Sequence, residues 1–294
     1  MSKQITELDY ITTGIAANGT VRAIAVQTTN TVNTALKYHQ TSPTATAALG
    51  RLLTAGALMS SQLKNDTDSI TIQINGKGPL GRMVVVSDAH ANVRGFVRNP
   101  HADMPIREDG KLDVGGVVGK GFLVVTKDLG LKEPYVGTIP LVSGEIAEDI
   151  AQYFVVSEQV PSVVSLGVLV TPAPHSKLGY KVHKAGGFML QLMPGASEDL
   201  ISDLETRIAM YPPVTTLLAA GATPSDILQD FLGSHGLEVM DTHACKYACT
   251  CSRSRMKSAL AMLSRDEIDE MLKQDGQIEI CCHFCNKKYV FTNL

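Results

Sequence analysis

Ile70-Thr-Ile-Gln-Ile74, Arg82-Met-Val-Val-Val-Ser87 and Asn92-Val-Arg-Gly-Phe-Val-Arg98 follow one another within residues 70–98. In the first run isoleucines alternate with polar residues, the period of a strand with one buried face. The second and third are joined by the turn-prone Asp88-Ala-His-Ala-Asn92, so the stretch predicts an antiparallel meander. Working outward, Phe122–Thr126 leads through Asp128-Leu-Gly130 and Pro134 to a further strand over Tyr135–Val142. Strands return at Val163–Val170 and Phe188–Met193, separated by a Pro/Gly/Lys-rich connector over Thr171–Gly187. Between these blocks lie helices. From Ser42-Pro43-Thr44 to Leu63, Ala48, Leu52, Ala55 and Met59 recur at helical spacing, with proline at a permitted first-turn position and Gly50 and Gly56 suited to close packing on a sheet. Ser143 is placed to cap a helix whose apolar face is Ile146, Ala147, Ile150, Ala151 and Phe154. The first forty residues read as strand-like. Strands and helices come in blocks and not in strict βαβ alternation. The class predicted is α+β, with a large mixed sheet and helix N-terminal domain over 1–193.

Composition narrows the function. The chain has 294 residues, 44% hydrophobic and 19% charged, enough for a substantial core and too apolar for a disordered protein. Twenty-six basic against 29 acidic residues give a net charge of −3, so the whole chain is no polycation for phosphate backbones. Aromatics are 5% with no tryptophan, poor material for base stacking. No apolar run reaches the roughly twenty residues that span a bilayer, and Met1-Ser2-Lys3-Gln4 does not begin a secretory signal. A soluble, cytosolic protein without a membrane partner is expected.

From Pro194 the texture changes to short helices broken by punctuators. Ser197 caps one, with Ile201, Leu204 and Ile208 on a face that ends at Pro212-Pro213. Thr223-Pro224-Ser225-Asp226 opens another, carrying Ile227, Leu228, Phe231 and Leu232 and stopped by Gly233. Residues 194–243 read as a metastable helical linker, and 244–294 as a separate module.

All six cysteines lie in that module: Cys245, Cys249, Cys251, Cys281, Cys282 and Cys285. A secreted disulfide scaffold would spread its bridges through the fold, so confinement to one tail points to metal binding or redox sensing. Cys249-Thr-Cys251 and Cys282-His-Phe-Cys285 are two short-spaced pairs of the kind that completes a tetrahedral four-thiolate zinc site. Between them Ser264-Arg-Asp-Glu267 is a capping box opening a helix with Ile268, Met271 and Leu272 on one face, closed by Gly276. Gln277–Cys281 and Tyr289-Val-Phe291 read as strands entering and leaving the knuckle. A module this small needs its metal to fold. Cys281 adjoins Cys282, and neighbours on a strand point to opposite faces; Cys245 is a spare ligand, an alternative disulfide partner or a bystander. The bystander reading is preferred for both; His243 and His283 are weighed as ligands, with an exposed tip residue the commoner explanation.

Gly76-x-Gly78-x-x-Gly81 matches a dinucleotide fingerprint in letters only. It precedes a strand, whereas phosphate binding uses a helix start, so a tight β-connection is the reading. No P-loop suggests ATP use, and Ser143, Glu145 and Asp149 form no catalytic triad.

Cys249-Thr-Cys251-Ser252-Arg253, Cys282-His-Phe-Cys285-Asn286 and Tyr289-Val-Phe291 resemble the zinc tail of the 33 kDa heat-shock chaperonin family, redox-regulated holdases of the bacterial cytosol. The body is similar in the same order: Gly76-Lys-Gly-Pro-Leu-Gly81, Gly130-Leu-Lys-Glu-Pro-Tyr135-Val-Gly137, Gly144-Glu-Ile-Ala-Glu-Asp149, Tyr153-Phe, Ser157-Glu-Gln159 and Gly186-Gly-Phe-Met-Leu-Gln-Leu-Met-Pro-Gly195. The resemblance covers essentially the whole chain. It departs from the family at Ser254, where glutamate is common, in the additional Cys245 and Cys281, and in a longish 171–187 connector. The resemblance implies a non-enzymatic chaperone whose 1–193 core binds unfolded or partly folded clients. Reduced and holding one zinc on Cys249, Cys251, Cys282 and Cys285, it would be inactive. Peroxide under unfolding stress, or hypochlorous acid, would form Cys249–Cys251 and Cys282–Cys285 disulfides, release zinc, loosen the linker and give a homodimer that holds clients without ATP. The general chemistry agrees: zinc-bound thiolates are oxidisable, and oxidation removes the charge that binds the metal. The rival readings are a zinc-ribbon nucleic-acid binder using Arg253, Arg255, Lys257, Lys287 and Lys288, offset by Asp266, Glu267, Asp269 and Glu270, and a thiol-disulfide oxidoreductase, which would need its Cys-x-x-Cys at a helix start in a βαβ unit.

Overall fold

A computed structural model describes residues 8–292; Met1–Gln4, read above for a leader, lie outside the described residues. The chain divides into two compact units, one running to Tyr247 and one from Ala248. In the first, β1 (Tyr10–Ala16) and β2 (Val21–Gln27) precede α1 (Thr29–His39) and α2 (Pro43–Ser60). Then come β3 (Ser69–Gly76), β4 (Arg82–Asp88), β5 (Asn92–Val97), the single turn α3 (Val114–Val118), β6 (Gly121–Asp128) and β7 (Tyr135–Pro140). The remainder is α4 (Ala147–Tyr153), which runs into a π-turn over Phe154–Glu158, β8 (Ser162–Pro172), β9 (Tyr180–Leu192), α5 (Glu198–Met210), α6 (Val214–Ala219), α7 (Pro224–Leu232), β10 (Glu238–Ala244) and β11 (Lys246–Tyr247).

The strands form two sheets, ordered β10-β1-β2-β9-β8 and β11-β5-β4-β3-β6-β7. The predicted α+β class holds, and β3–β4–β5 is the predicted antiparallel meander. Helix α2 joins the two layers. It is buried along nearly its whole length, and its one charged residue, Arg51, pairs with Glu145. Its start is the one expected: Ser42 Oγ accepts the Ala45 N–H and Pro43 occupies the first turn. Its glycines show which neighbours it serves. A Cβ on Gly50 would lie 2.7 Å from side chains of Val168 and Val32, and one on Gly56 would lie 2.8 Å from Val85. One glycine therefore admits the first sheet, and the other the second.

The glycine fingerprint is a β-connection, as read. A Cβ on Gly76 would stand 2.1 Å from the Val118 carbonyl oxygen and one on Gly78 2.4 Å from that of Val117. The glycines let two backbones meet, with Gly78 N–H bonded to Val118 O and Leu80 N–H to Val117 O.

Three local expectations are corrected. The first forty residues are not strand throughout, because 29–39 are helix α1. Its N-terminus is capped from a distance: the buried Asp9 carboxylate accepts the N–H groups of Asn30 (3.0 Å) and Thr31 (2.6 Å). Ser143 does not cap α4. That helix begins after Ile146, whose φ of +75° is rare for a β-branched residue, and Ser143 Oγ accepts the Glu145 N–H instead. The organiser is Asp149, fully buried, whose carboxylate accepts the N–H groups of Val142, Ser143, Gly144 and Ile146. Finally, the 171–187 connector is short: β8 and β9 extend into it as one long hairpin with a bulge after Leu169.

The segment expected as a linker, 194–243, carries α5–α7 with their predicted caps at Ser197 and Thr223. Leu204, Val214, Leu218, Leu228 and Phe231 are buried against Ala23, Ala25, Phe188 and Leu190 of the first sheet. Phe231 stacks between Phe188 and Tyr211, with ring centroids 4.8 and 3.9 Å away. Strand β10 then pairs with β1, so this segment belongs to the first compact unit. Among the described residues no helix is long and apolar enough to cross a membrane.

Removing the Asp149 carboxylate would strand four N–H groups. Asp149→Ala is expected to destabilise the first unit by about 3 kcal/mol or more, read as a lower midpoint in urea unfolding.

Candidate metal centre

The second unit holds α8 (Arg253–Leu260), α9 (Arg265–Asp275) and the hairpin β12 (Ile278–Cys281) and β13 (Lys288–Phe291). Ser264 and Glu267 form the predicted capping box, and Gly276 ends α9 in the left-handed conformation. Apolar material is scarce: Leu260, Ile278, Tyr289 and Phe291 are buried, with Cys251, Met256, Ile268, Leu272 and Ile280 packed around them.

Two chain segments deliver the thiols. Cys249 and Cys251 lie in the loop whose end, Ser252, caps α8. Cys282 and Cys285 form the tip of the β12–β13 hairpin. There Cys282 N–H bonds Lys287 O, and Asn286, in the left-handed region (φ +56°), returns its N–H to Cys282 O. All four sulfurs lie within 4.8 Å of one another. Cys249 Sγ is 3.6 Å from Cys282 Sγ, and Cys251 Sγ is 3.5 Å from Cys285 Sγ.

These distances test whether the set fits a metal. Four sulfurs about 2.3 Å from a zinc-sized ion at tetrahedral angles would be about 3.8 Å apart. The thiols already approximate that tetrahedron, and they are too far apart to be disulfides. The electrostatics agree. Burial raises the Cys251 thiol, but hydrogen bonds from the Tyr289 hydroxyl and the neighbouring sulfurs outweigh it and bring it down to about 7. Cys249 and Cys285 are pushed up, first by burial and then by adjoining thiols. Without a cation the cluster therefore favours the thiolate at Cys251 and disfavours it at Cys249 and Cys285. Cys249, Cys251, Cys282 and Cys285 would hold a divalent ion, which would supply the charge that favours their thiolates.

Tyr289 is the functional neighbour that sequence reasoning missed: its hydroxyl lies 3.1 Å from Cys251 Sγ. It was read only as part of a strand. Alternation with Phe291 was the available signal, since both residues face the small core.

The spare thiols stand outside the cluster. Cys245 is buried in the core of the first unit, its thiol driven strongly upward by burial and by Asp9. Cys281 is exposed on β12 opposite Lys288. His243 is on β10, bonded to Asp241 at 2.7 Å, and neither it nor His283 joins the thiol group. Several cations of the nucleic-acid reading have local structural partners: Arg253 lies over the Phe291 ring, Arg255 bonds Thr250, Lys287 lies over Tyr289 and Lys288 pairs with Glu279.

The fold and site define a two-unit protein, an α+β body and a small four-thiol unit able to hold a metal ion. The Hsp33 protein family model matches residues 9–292. The 33 kDa chaperonin of Acetivibrio thermocellus is 50% identical over 284 residues, covering 97% of this chain and 94% of the relative. That of a Geobacillus species is 46% identical over 285 residues, covering 97% and 94%. The crystal structure of the 33 kDa chaperonin from Thermotoga maritima superposes with a TM-score of 0.87 at 40% identity, covering 96% of this chain and 94% of that one. The chain belongs to the Hsp33 family, whose members are named for chaperone function and not for a catalysed reaction.

Reduced protein reconstituted with Co²⁺ is expected to show the visible bands of a tetrahedral thiolate complex. Cys282→Ser or Cys285→Ser should weaken metal retention by an order of magnitude or more; Cys245→Ser with Cys281→Ser should leave the spectrum intact.

Proposed function

We infer that this protein is a redox-regulated, ATP-independent holdase of the bacterial cytoplasm that is zinc-bound and inactive when reduced. The observation that carries this reading is the gathering of four thiols in a unit with only four well-buried apolar residues around them. Such a unit draws much of its folding free energy from the centre. Cys249, Cys251, Cys282 and Cys285 would hold the ion. When bound, zinc supplies the positive charge that keeps four thiolates together.

Oxidation removes that arrangement. Following the family resemblance, Cys249 pairs with Cys251 and Cys282 with Cys285; as each S–S bond forms, the two thiolates give two electrons to one peroxide, whose O–O bond breaks and which takes two protons from solvent to become two waters. Two neutral disulfides no longer bind a divalent ion, and the second unit loses the charge balance that organised it. Of the three segments proposed, 1–193 receives clients, 194–243 is the element that loosens, and 244–294 senses the oxidant.

Two surfaces support client binding in the first unit. One is the face under α5–α7, where Phe188, Leu190, Ala23 and Ala25 become exposed when those helices leave. The other is the exposed edge of the six-stranded sheet, where Phe122, Tyr135 and Val136 lie in the open. Oxidised protomers would associate through such surfaces as a homodimer.

The deciding experiment follows zinc release and suppression of client aggregation together, without ATP, in reduced and peroxide-treated protein at elevated temperature. One zinc per chain is expected to leave as protection rises, and reductant should reverse both. Zinc retained with no client protected would overturn the reading.

A second expectation separates the linker from the sensor. Phe231→Ala removes the ring stacked between Phe188 and Tyr211, weakening helix docking by about 3–5 kcal/mol. The reduced variant should protect clients without oxidant while keeping its zinc.

A further inference from the structure

The chain has a net charge of −3, yet its charges are segregated. Residues 10–65 contain four basic and no acidic residues, and residues 159–197 contain three lysines and no acidic residue. These segments carry seven positive charges, so the rest of the chain carries −10. The fold brings the two together where α1 packs beside the tip of the β8–β9 hairpin. Between them lies a groove of about 430 Å³, with Lys37 on α1 and Lys177 and Lys181 on the hairpin around an apolar floor of Leu36 and Leu178. None of the three lysines is in an ion pair among the described residues, and all three are exposed. The carboxylate nearest in influence is Asp103, which acts on Tyr180 and is itself bonded by Thr44.

The walls are fixed before any ligand arrives. Asn33 of α1 pairs with the backbone of Val182 in both directions, Nδ2 donating to its carbonyl at 2.8 Å and Oδ1 accepting its N–H at 3.1 Å. The Tyr180 hydroxyl donates to Thr41 O beyond the end of α1. Ser176 Oγ closes the hairpin tip by donating to Tyr180 O. Beneath the floor, Val32, Leu36, Val182 and Ala185 form a small core of their own.

We propose that this groove binds a multiply charged phosphate ester carried on an apolar, ring-sized body, the chemistry of a nucleoside diphosphate. Three ammonium groups outside any ion pair among the described residues, Lys37 among them in the last turn of α1, suit a di- or trianion better than a single carboxylate, and a cleft lined by one sign of charge concentrates its counter-ion. The leucine floor accounts for the body, which a bare polyphosphate lacks, and the volume falls within the range of small-molecule pockets. Binding here involves no hydrolysis, and the groove shares no residue with the thiol centre, so the proposal stands apart from the redox reading.

The test is calorimetric titration of the full-length reduced protein with adenosine diphosphate, adenosine and inorganic tripolyphosphate. Adenosine diphosphate is expected to bind one per chain, more tightly than tripolyphosphate, and adenosine not measurably. Lys37→Ala and Lys181→Ala should each weaken binding about tenfold, with Lys→Arg retaining most of it. These exposed positions should leave the melting temperature unchanged, which separates lost binding from lost folding. The proposal falls if adenosine diphosphate gives no heat, if tripolyphosphate binds as tightly, or if Lys64→Ala, outside the groove, weakens binding as much.

Discussion

The packing of α2 is the contact on which the first unit depends. Of its 18 residues 16 are buried and only Arg51 is charged, so the helix is enclosed by its neighbours. Gly50 and Gly56 lie six residues apart and let different neighbours approach to van der Waals contact, Val168 and Val32 at one, Val85 at the other. Two sheets that are far apart in sequence thereby share one core, which draws on Leu49, Leu52 and Leu53 of α2 as well as Ile70, Ile72 and Ile74 of β3. The outer face of the first sheet is left to be covered by α5–α7. That layer has its own separate apolar cluster.

The second unit answers a different constraint. Its helices are mostly exposed and α9 buries no residue fully. Cohesion has to come from a few aromatic contacts and from whatever holds the sulfurs. Tyr289 links the two, since its ring belongs to the apolar cluster while its hydroxyl addresses Cys251. Chemistry at the sulfurs is thus felt directly by the packing.

Features encoded over a few residues were legible in the sequence. Ser42-Pro43, the Ser264–Glu267 box and the isoleucine alternation at 70–74 each contain their own physical cause, and the two cysteine spacings did as well. What escaped reading depends on partners distant in sequence. Helix α1 is threonine-rich and is capped by Asp9 from another element; Ser143 looked like a cap because nothing local reveals that Asp149 collects the N–H groups around it. Proline, glycine and lysine make Thr171–Gly187 read as a connector, although β9 begins at Tyr180 with Lys181 and His183 exposed. Helices α5 and α7 announced their ends at Ser197, Pro212-Pro213, Thr223 and Gly233, but α6 between them went unread, as did the aromatic contacts of Phe231.

Cys245 gives the molecule an unplanned instrument. It follows β10, and its N–H bonds the Asp9 carbonyl while its sulfur is sealed in the core. A thiol so enclosed reacts with an alkylating reagent only when its surroundings part, so its labelling rate times the opening of that part of the fold. Cys281, exposed on β12, labels at once and supplies the internal standard. The two residues that take no part in the thiol cluster thus make a clock and its reference, written into one chain.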